Sequence, residues 1–353
     1  MKRFMSPPHS QKTSAFSLIE LLVSMGILSV LMLLLTQMLE QVQKSWTYSE
    51  SRISQFREAR VAFDLVTKNL GQANLNTYYD LKDSNKDGLV DGYYRTSELH
   101  FLTLEASKDL PASATQEPVG QAIFFQAPLG FSSEYRNLNG IFNGRGYFVA
   151  YGSDRRFKPS FVKSEDRMRF RLMEFRPPAE SNQVFADGQE ERVNGEPEVF
   201  TAWYRQSMSG VGEGNFEDHL NPLAENIIML IVSPRDSLEP GGRSRKQTFS
   251  EIAPRYTYDS AAEDFDFSQQ VPPLVRVTMV AIDETSALRV ENDGKRPDLL
   301  EAAWFKDTDK YADDIVKLTD SLNEKKVIHK IFSSMVMLRS AKWSVEKQAG
   351  DLP

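Results

Sequence analysis

Two groups of residues have the types and spacing for chemistry. The first is Asp83-Ser84-Asn85-Lys86-Asp87-Gly88-Leu89-Val90-Asp91. Oxygen-bearing side chains at alternate positions converge on a hard cation, a glycine at the sixth position permits the sharp turn, and the seventh gives its carbonyl. The spacing predicts a calcium loop with Asp83, Asn85, Asp87, Leu89 and Asp91 as ligands. The twelfth position is Tyr94 where a bidentate glutamate is expected, so Glu98 or Asp80 would have to substitute through space. The competing reading is a solvated Asp/Asn/Gly turn linking a long helix to the first strand. The second group is a single carboxylate. Glu20 is the one ionisable residue between Phe16 and Leu39. A charge at the edge of an apolar helix is costly unless it is paired.

That helix is the first element needed to position Glu20. Leu21–Leu39 reads LLVSMGILSVLMLLLTQML and holds no charge. At 1.5 Å per residue it spans about 28 Å, close to a bilayer's hydrocarbon core. Gly26 is a notch at which another helix approaches closely. Ahead of the run, residues 1–15 carry Lys2, Arg3 and Lys12 and no acid. A basic end before an apolar run keeps the N-terminus cytoplasmic and sends the rest outward. A secretory signal would have a shorter apolar core closed by a small-residue site, which this run lacks. A plain signal anchor has the same hydropathy.

Beyond the run, Val42, Trp46, Ile53, Phe56, Phe63, Val66 and Leu70 recur at helical spacing, and Gly71 follows as a stop. One helix of about 80 Å is expected over residues 16–70. After Gly71 the pattern becomes β-rich. Strands are expected at Leu99–Leu104, Gln121–Gln126, Gly146–Tyr151, Met168–Arg176, Val199–Tyr204, Asn226–Val232, Leu274–Ile282 and Lys330–Leu338. Met168–Arg176 alternates as a half-buried strand would. Asn139-Gly140 and Asn143-Gly144 read as turns. Polar loops are expected at Ala179–Pro197, Ser207–Glu217 and Ser237–Gln270, with helical character over Pro297–Asn323. The fold class is α+β: a long N-terminal helix against an antiparallel β-rich domain. The segments are 1–15 leader, 16–40 membrane helix, 41–71 protruding amphipathic helix, 72–345 globular domain and 346–353 tail.

The residues Ser14-Ala15-Phe16-Ser17-Leu18-Ile19-Glu20 stand directly before the apolar run. They resemble the cleavage motif of type IV prepilins: a glycine or alanine, Phe, a small polar residue, then Leu-Ile-Glu. The resemblance implies that prepilin peptidase cuts between Ala15 and Phe16 and methylates the new amino group. It implies that Glu20 pairs with the amino terminus of a neighbouring pilin-like subunit, and that the protein crosses the bacterial inner membrane once with its C-terminal domain periplasmic. The phrases SELHF (Ser97–Phe101), GQAIFFQAPLG (Gly120–Gly130), LVRVTMVAIDE (Leu274–Glu284) and IFSSMVMLRSAKW (Ile331–Trp343) resemble the prepilin-type family called Verru_Chthon cassette protein C. The late strands are less closely similar to the large J-type minor pseudopilin of type II secretion. The expected function is a minor pilin or pseudopilin subunit.

Other classes find little support. The net charge is -7, against a nucleic-acid partner, and there are no cysteines for disulfides or thiolate sites. His9, His100, His219 and His329 are scattered, with no H-E-x-x-H or G-x-S-x-G. No enzyme is expected. The acidic group Asp259, Glu263, Asp264 and Asp266 offers oxygens to a second cation but reads, like the basic run Arg243-Ser244-Arg245-Lys246, as a solvated loop. The rival readings are an anchored adhesin or binding module, and an anchored envelope enzyme, which requires a pocket with converging polar groups.

Overall fold

A computed structural model describes residues 17–82, 88–110, 116–135, 139–159, 161–182, 184, 203–204, 219–235, 252–262, 268–291 and 295–341. The leader 1–15, with Ala15, then Phe16, and the tail 346–353 lie outside them. The chain divides into two compact units between Ser54 and Gln55.

The first unit is helical. Helix α1 runs Leu18–Leu70, so the sequence boundary at 40/41 falls within one helix. Its stretch Leu18–Gln43 has a mean hydropathy of 2.6, and none of its most apolar window is buried. Val42 and Trp46 are exposed too, Trp46 to 71%. The expected stripe is therefore not one packed face. Only its later members, Phe56, Phe63, Val66 and Leu70, reach a core among the described side chains.

Among the described residues the second unit is α+β, and its paired strands are antiparallel. Strands β1 (Tyr78–Lys82) and β2 (Gly92–Thr96) form a hairpin of their own. A six-stranded sheet holds β3 (Leu102–Glu105), β4 (Gln116–Phe131), β5 (Asn139–Ser153), β6 (Met168–Phe175), β7 (Leu220–Glu225) and β9 (Tyr258–Asp259). Its order is β7-β6-β5-β4-β3-β9. A second sheet is built from β8 (Ile227–Arg235), β10 (Leu274–Ile282) and β11 (His329–Met337), in the order β11-β10-β8. Strand β8 packs on β4, β5 and β6, and the Gln121 side chain accepts from the Val232 amide at 2.7 Å. Short helices α2 (Ala106–Asp109) and α3 (Glu284–Val290), then α4 (Tyr311–Glu324), complete it.

Within this unit the last turns of α1 bury Ala59, Ala62, Phe63, Val66 and Leu70. These recur at three and four residues and form one stripe. Each large member contributes about 1.5–3 kcal/mol by leaving water. Phe63 meets Phe332 of β11 at 5.8 Å, and Asn69 donates to the Tyr147 hydroxyl of β5 at 2.7 Å.

Four sequence expectations are corrected. Met168–Phe175 is buried almost throughout, because β8 packs on β6 and Arg169 reaches Glu284 and Glu291 at the two ends of α3. Its polar residues are inside with partners: Arg169 with Glu291 and Glu284, Arg171 with Glu225, and Glu174 with Arg145. Asn139-Gly140 and Asn143-Gly144 lie within β5 and make no turn. There the glycines make room for rings: a Cβ on Gly144 would sit 2.5 Å from Trp203, and one on Gly146 would overlap Phe124. Trp203 and Tyr204, expected to end a strand, have helical backbone and are buried, Tyr204 stacking on Phe124 at 4.7 Å. The helical character expected from Pro297 begins only at Thr308, with a 3-10 turn before α4.

Candidate functional site

Helix α1 opens on a capping box. The Ser17 amide and hydroxyl both donate to Glu20 Oε2, at 3.1 and 3.2 Å, and the Glu20 amide donates to Ser17 Oγ at 3.3 Å. A Ser-x-x-Glu spacing satisfies first-turn donors that no earlier residue can meet. Ser17-Leu18-Ile19-Glu20 spells that spacing, and the capping role was missed in the sequence all the same. Glu20 Oε1 has no hydrogen bond among the described residues. Ser24, Ser29 and Thr36 return their hydroxyls to carbonyls four residues earlier, which removes polar groups from an apolar surface.

The arrangement at this end is therefore an apolar, unburied helix with one carboxylate at its start and one carboxylate oxygen unspent. It suits lipid or other helices. Residues 10–36 match the family model described as the prokaryotic N-terminal methylation motif. The chain carries a type IV pilin-like prepilin leader. Such a leader marks a precursor processed by prepilin peptidase, and its apolar helix fits single-pass membrane anchoring. No curated protein and no solved structure matches the chain.

Away from the prepilin leader, the predicted cation loop closes the β1–β2 hairpin rather than linking the long helix to a strand. Asp83, Asn85 and Asp87 lie outside the described residues. Leu89 and Asp91 are exposed, and Gly88 adopts φ +81, the left-handed turn expected at the sixth position. Glu98 cannot complete the loop. It stands beyond the Tyr78–Thr96 pair at the hairpin's far end, about 14 Å away along the strand, and accepts from Asn76 and from the Tyr78 hydroxyl. Asp80 lies opposite Tyr94 in β1–β2.

Asp259 is corrected as well. It is no solvated loop residue: it belongs to β9, and its Oδ1 takes a 2.7 Å bond from His100 Nε2. Trp203 Nε1 donates to His100 Nδ1 at 3.2 Å, which leaves the ring proton on Nε2 facing Asp259. Burial raises the Asp259 carboxyl, but the bonds it accepts from His100 Nε2 and the Ala261 amide outweigh it and hold the group below the usual carboxylate range. His100 is fully buried with both nitrogens engaged, the geometry of a structural link between β3's approach and β9. Glu263, Asp264, Asp266 and the run 243–246 lie outside the described residues.

Proposed function

We propose that this prepilin is a minor pilin or pseudopilin subunit of a type IV pilus-like or type II secretion-like fibre. Prepilin peptidase cuts between Ala15 and Phe16 and methylates Phe16. The subunit then packs on other pilin-like subunits through its N-terminal helix, Glu20 Oε1 meeting the ammonium of a neighbour's Phe16. The precursor sits in the bacterial inner membrane with its N-terminus cytoplasmic and its β-rich domain periplasmic. One observation carries this reading: an unburied apolar helix, bearing a single carboxylate at its start, follows directly on a methylation motif. Exposed Val42 and Trp46 extend the surface that helix offers to neighbours. The four sequence phrases favour kinship with cassette protein C over the J-type pseudopilin.

The test is the N-terminal mass of the protein recovered from membranes. A chain starting at N-methylated Phe16 is expected, and Ala15→Leu should shift nearly all of it to the uncut precursor. A wild-type chain that stays uncut would sink the assembly reading and leave the anchored binding module.

We also propose that residues 83–91 bind calcium and stiffen the β1–β2 hairpin without catalytic consequence. Gly88 in the left-handed region supports this. Calcium at about 100 times its Kd should stabilise the protein by about 2.7 kcal/mol. An Asp87→Asn variant should lose most of that gain. A melting temperature indifferent to calcium and to chelator would return the loop to a solvated turn.

A further inference from the structure

The β-rich unit contains a cavity of about 310 Å³ that the assembly reading does not use. It lies between β3, the start of β4, β8 and the segments 255–256 and 296–306. Its size is at the small end of ligand pockets, roughly 300–1,000 Å³. Leu104, Val119, Met229, Leu300, Trp304 and Phe305 give it an apolar side, and charged and polar side chains line nearly as much of it.

The backbone around it is irregular at three places. Gly120 (φ +71), Tyr256 (φ +63) and Phe305 (φ +56) all line the cavity. Gly120 sits in a bulge, where the β4–β5 register shifts between Val119 and Ala122. For bulky Tyr and Phe a left-handed conformation is an outlier, kept only where the surroundings fix it. They do so here. The Phe305 amide donates to Asp314 at 2.9 Å, and Thr103 Oγ1 donates to the Tyr256 carbonyl at 2.8 Å. The Thr308 amide ties the two segments together through the Pro254 carbonyl at 3.0 Å. A bulge and two left-handed aromatic residues, tied in place by hydrogen bonds, thus surround one hollow.

The mouth carries charge of both signs. Glu117 pairs with Arg296 at 3.2 Å, and Glu105 pairs with Lys306. Arg255 and Glu301 are exposed and their side chains make no ion pair or hydrogen bond among the described residues. A guanidinium and a carboxylate that are unpaired among the described residues thus both line a hollow with an apolar side. We propose that this cavity binds a free amino acid with a large apolar side chain. The side chain fills the hollow, the α-carboxylate meets Arg255 and the α-ammonium meets Glu301. Arginine matches a carboxylate in paired geometry, and charge-assisted bonds are the strong ones. A chain terminus has only one of the two charges beside its side chain. Requiring both therefore selects the free amino acid.

The test is calorimetric titration of the full chain in detergent with L-phenylalanine. Saturable binding is expected. N-acetyl-phenylalanine amide, which lacks both charges, should bind at least about tenfold more weakly, as should phenylalanylglycine, which keeps the ammonium beside its side chain but carries its carboxylate one residue away. Arg255→Gln and Glu301→Gln should each weaken L-phenylalanine about tenfold without lowering the melting temperature, since both residues are exposed. Absence of saturable binding at about 10 mM would overturn the proposal, as that limits any affinity to below about 3 kcal/mol. Equal binding by the uncharged derivative or the dipeptide would overturn the amino-acid assignment.

Discussion

Glu20→Gln is expected to leave prepilin processing intact and to reduce incorporation into a fibre by about a hundredfold or more. The reasoning starts from the capping box. Glu20 Oε2 accepts both Ser17 bonds, and a glutamine oxygen accepts them equally well. The variant therefore keeps the start of α1 and loses only the charge. In the assembled state we propose, that charge faces a neighbour's ammonium away from water. Removing one partner of such a pair strands the other, at a cost of about 3–5 kcal/mol. Every 1.4 kcal/mol is about tenfold, so the effect on assembly is two orders of magnitude or more. Glu20→Ala removes the cap as well, adding about 1 kcal/mol of helix destabilisation. Quantitative mass spectrometry of sheared fibre and membrane fractions reads the partition, and the N-terminal mass reads processing in the same samples. Glu20→Gln subunits recovered in fibre at the wild-type ratio would show that Glu20 is a helix cap and nothing more.

Glu174→Ala should be the most damaging single change in the β-rich unit, lowering stability by about 3–5 kcal/mol. Arg145 and Glu174 face each other across β5 and β6 at 3.3 Å with side chains 6% and 8% exposed. Glu174 Oε1 also accepts from the Tyr147 hydroxyl at 3.0 Å, and that hydroxyl accepts from Asn69 of α1. One carboxylate thus ends a chain that ties the helix to the sheet. Burial lowers the Arg145 pKa and raises that of Tyr147, the directions expected where water is scarce. Alanine would leave a guanidinium buried with little besides the Leu129 carbonyl. At about 2–4 °C per kcal/mol for a domain near this size, the melting temperature should fall by roughly 10 °C. The double variant Arg145→Met/Glu174→Leu should recover much of the loss, because apolar residues of similar volume replace a buried pair at little cost. A single variant within about 1 kcal/mol of wild type would mean that water reaches Arg145.

The sequence made the N-terminal helix legible because its signals are local: an uncharged run, a basic flank and a stripe at helical spacing. The strands β4, β5, β6, β8, β10 and β11 were found for the same reason, each being a run of branched and aromatic residues. What escaped depends on partners far along the chain. Arg169, Arg171 and Glu174 look solvent-facing until their counter-ions at Glu291, Glu225 and Arg145 are brought beside them. Gly144 looks like a turn residue until the Trp203 ring is brought against it. Asp259 looks like one acid of a loop until His100 arrives from β3's side. The β1–β2 hairpin leaves little trace in the sequence because Tyr78–Lys82 and Gly92–Thr96 are five residues each and flank a strongly polar loop. Ser17's cap was legible by spacing alone and was hidden by the more familiar motif around it.

The bare apolar surface of Leu18–Gln43 also sets how such a subunit travels. Wetting it would cost on the order of tens of kcal/mol at about 25 cal/mol per Å². No thermally driven excursion through water is open to it, so it must pass from lipid straight into another apolar phase. Its search for neighbours is then confined to a plane. Encounter rates follow the number of molecules per area of membrane rather than per volume of cell, and growth of any assembly it joins must begin at the base, where that plane is.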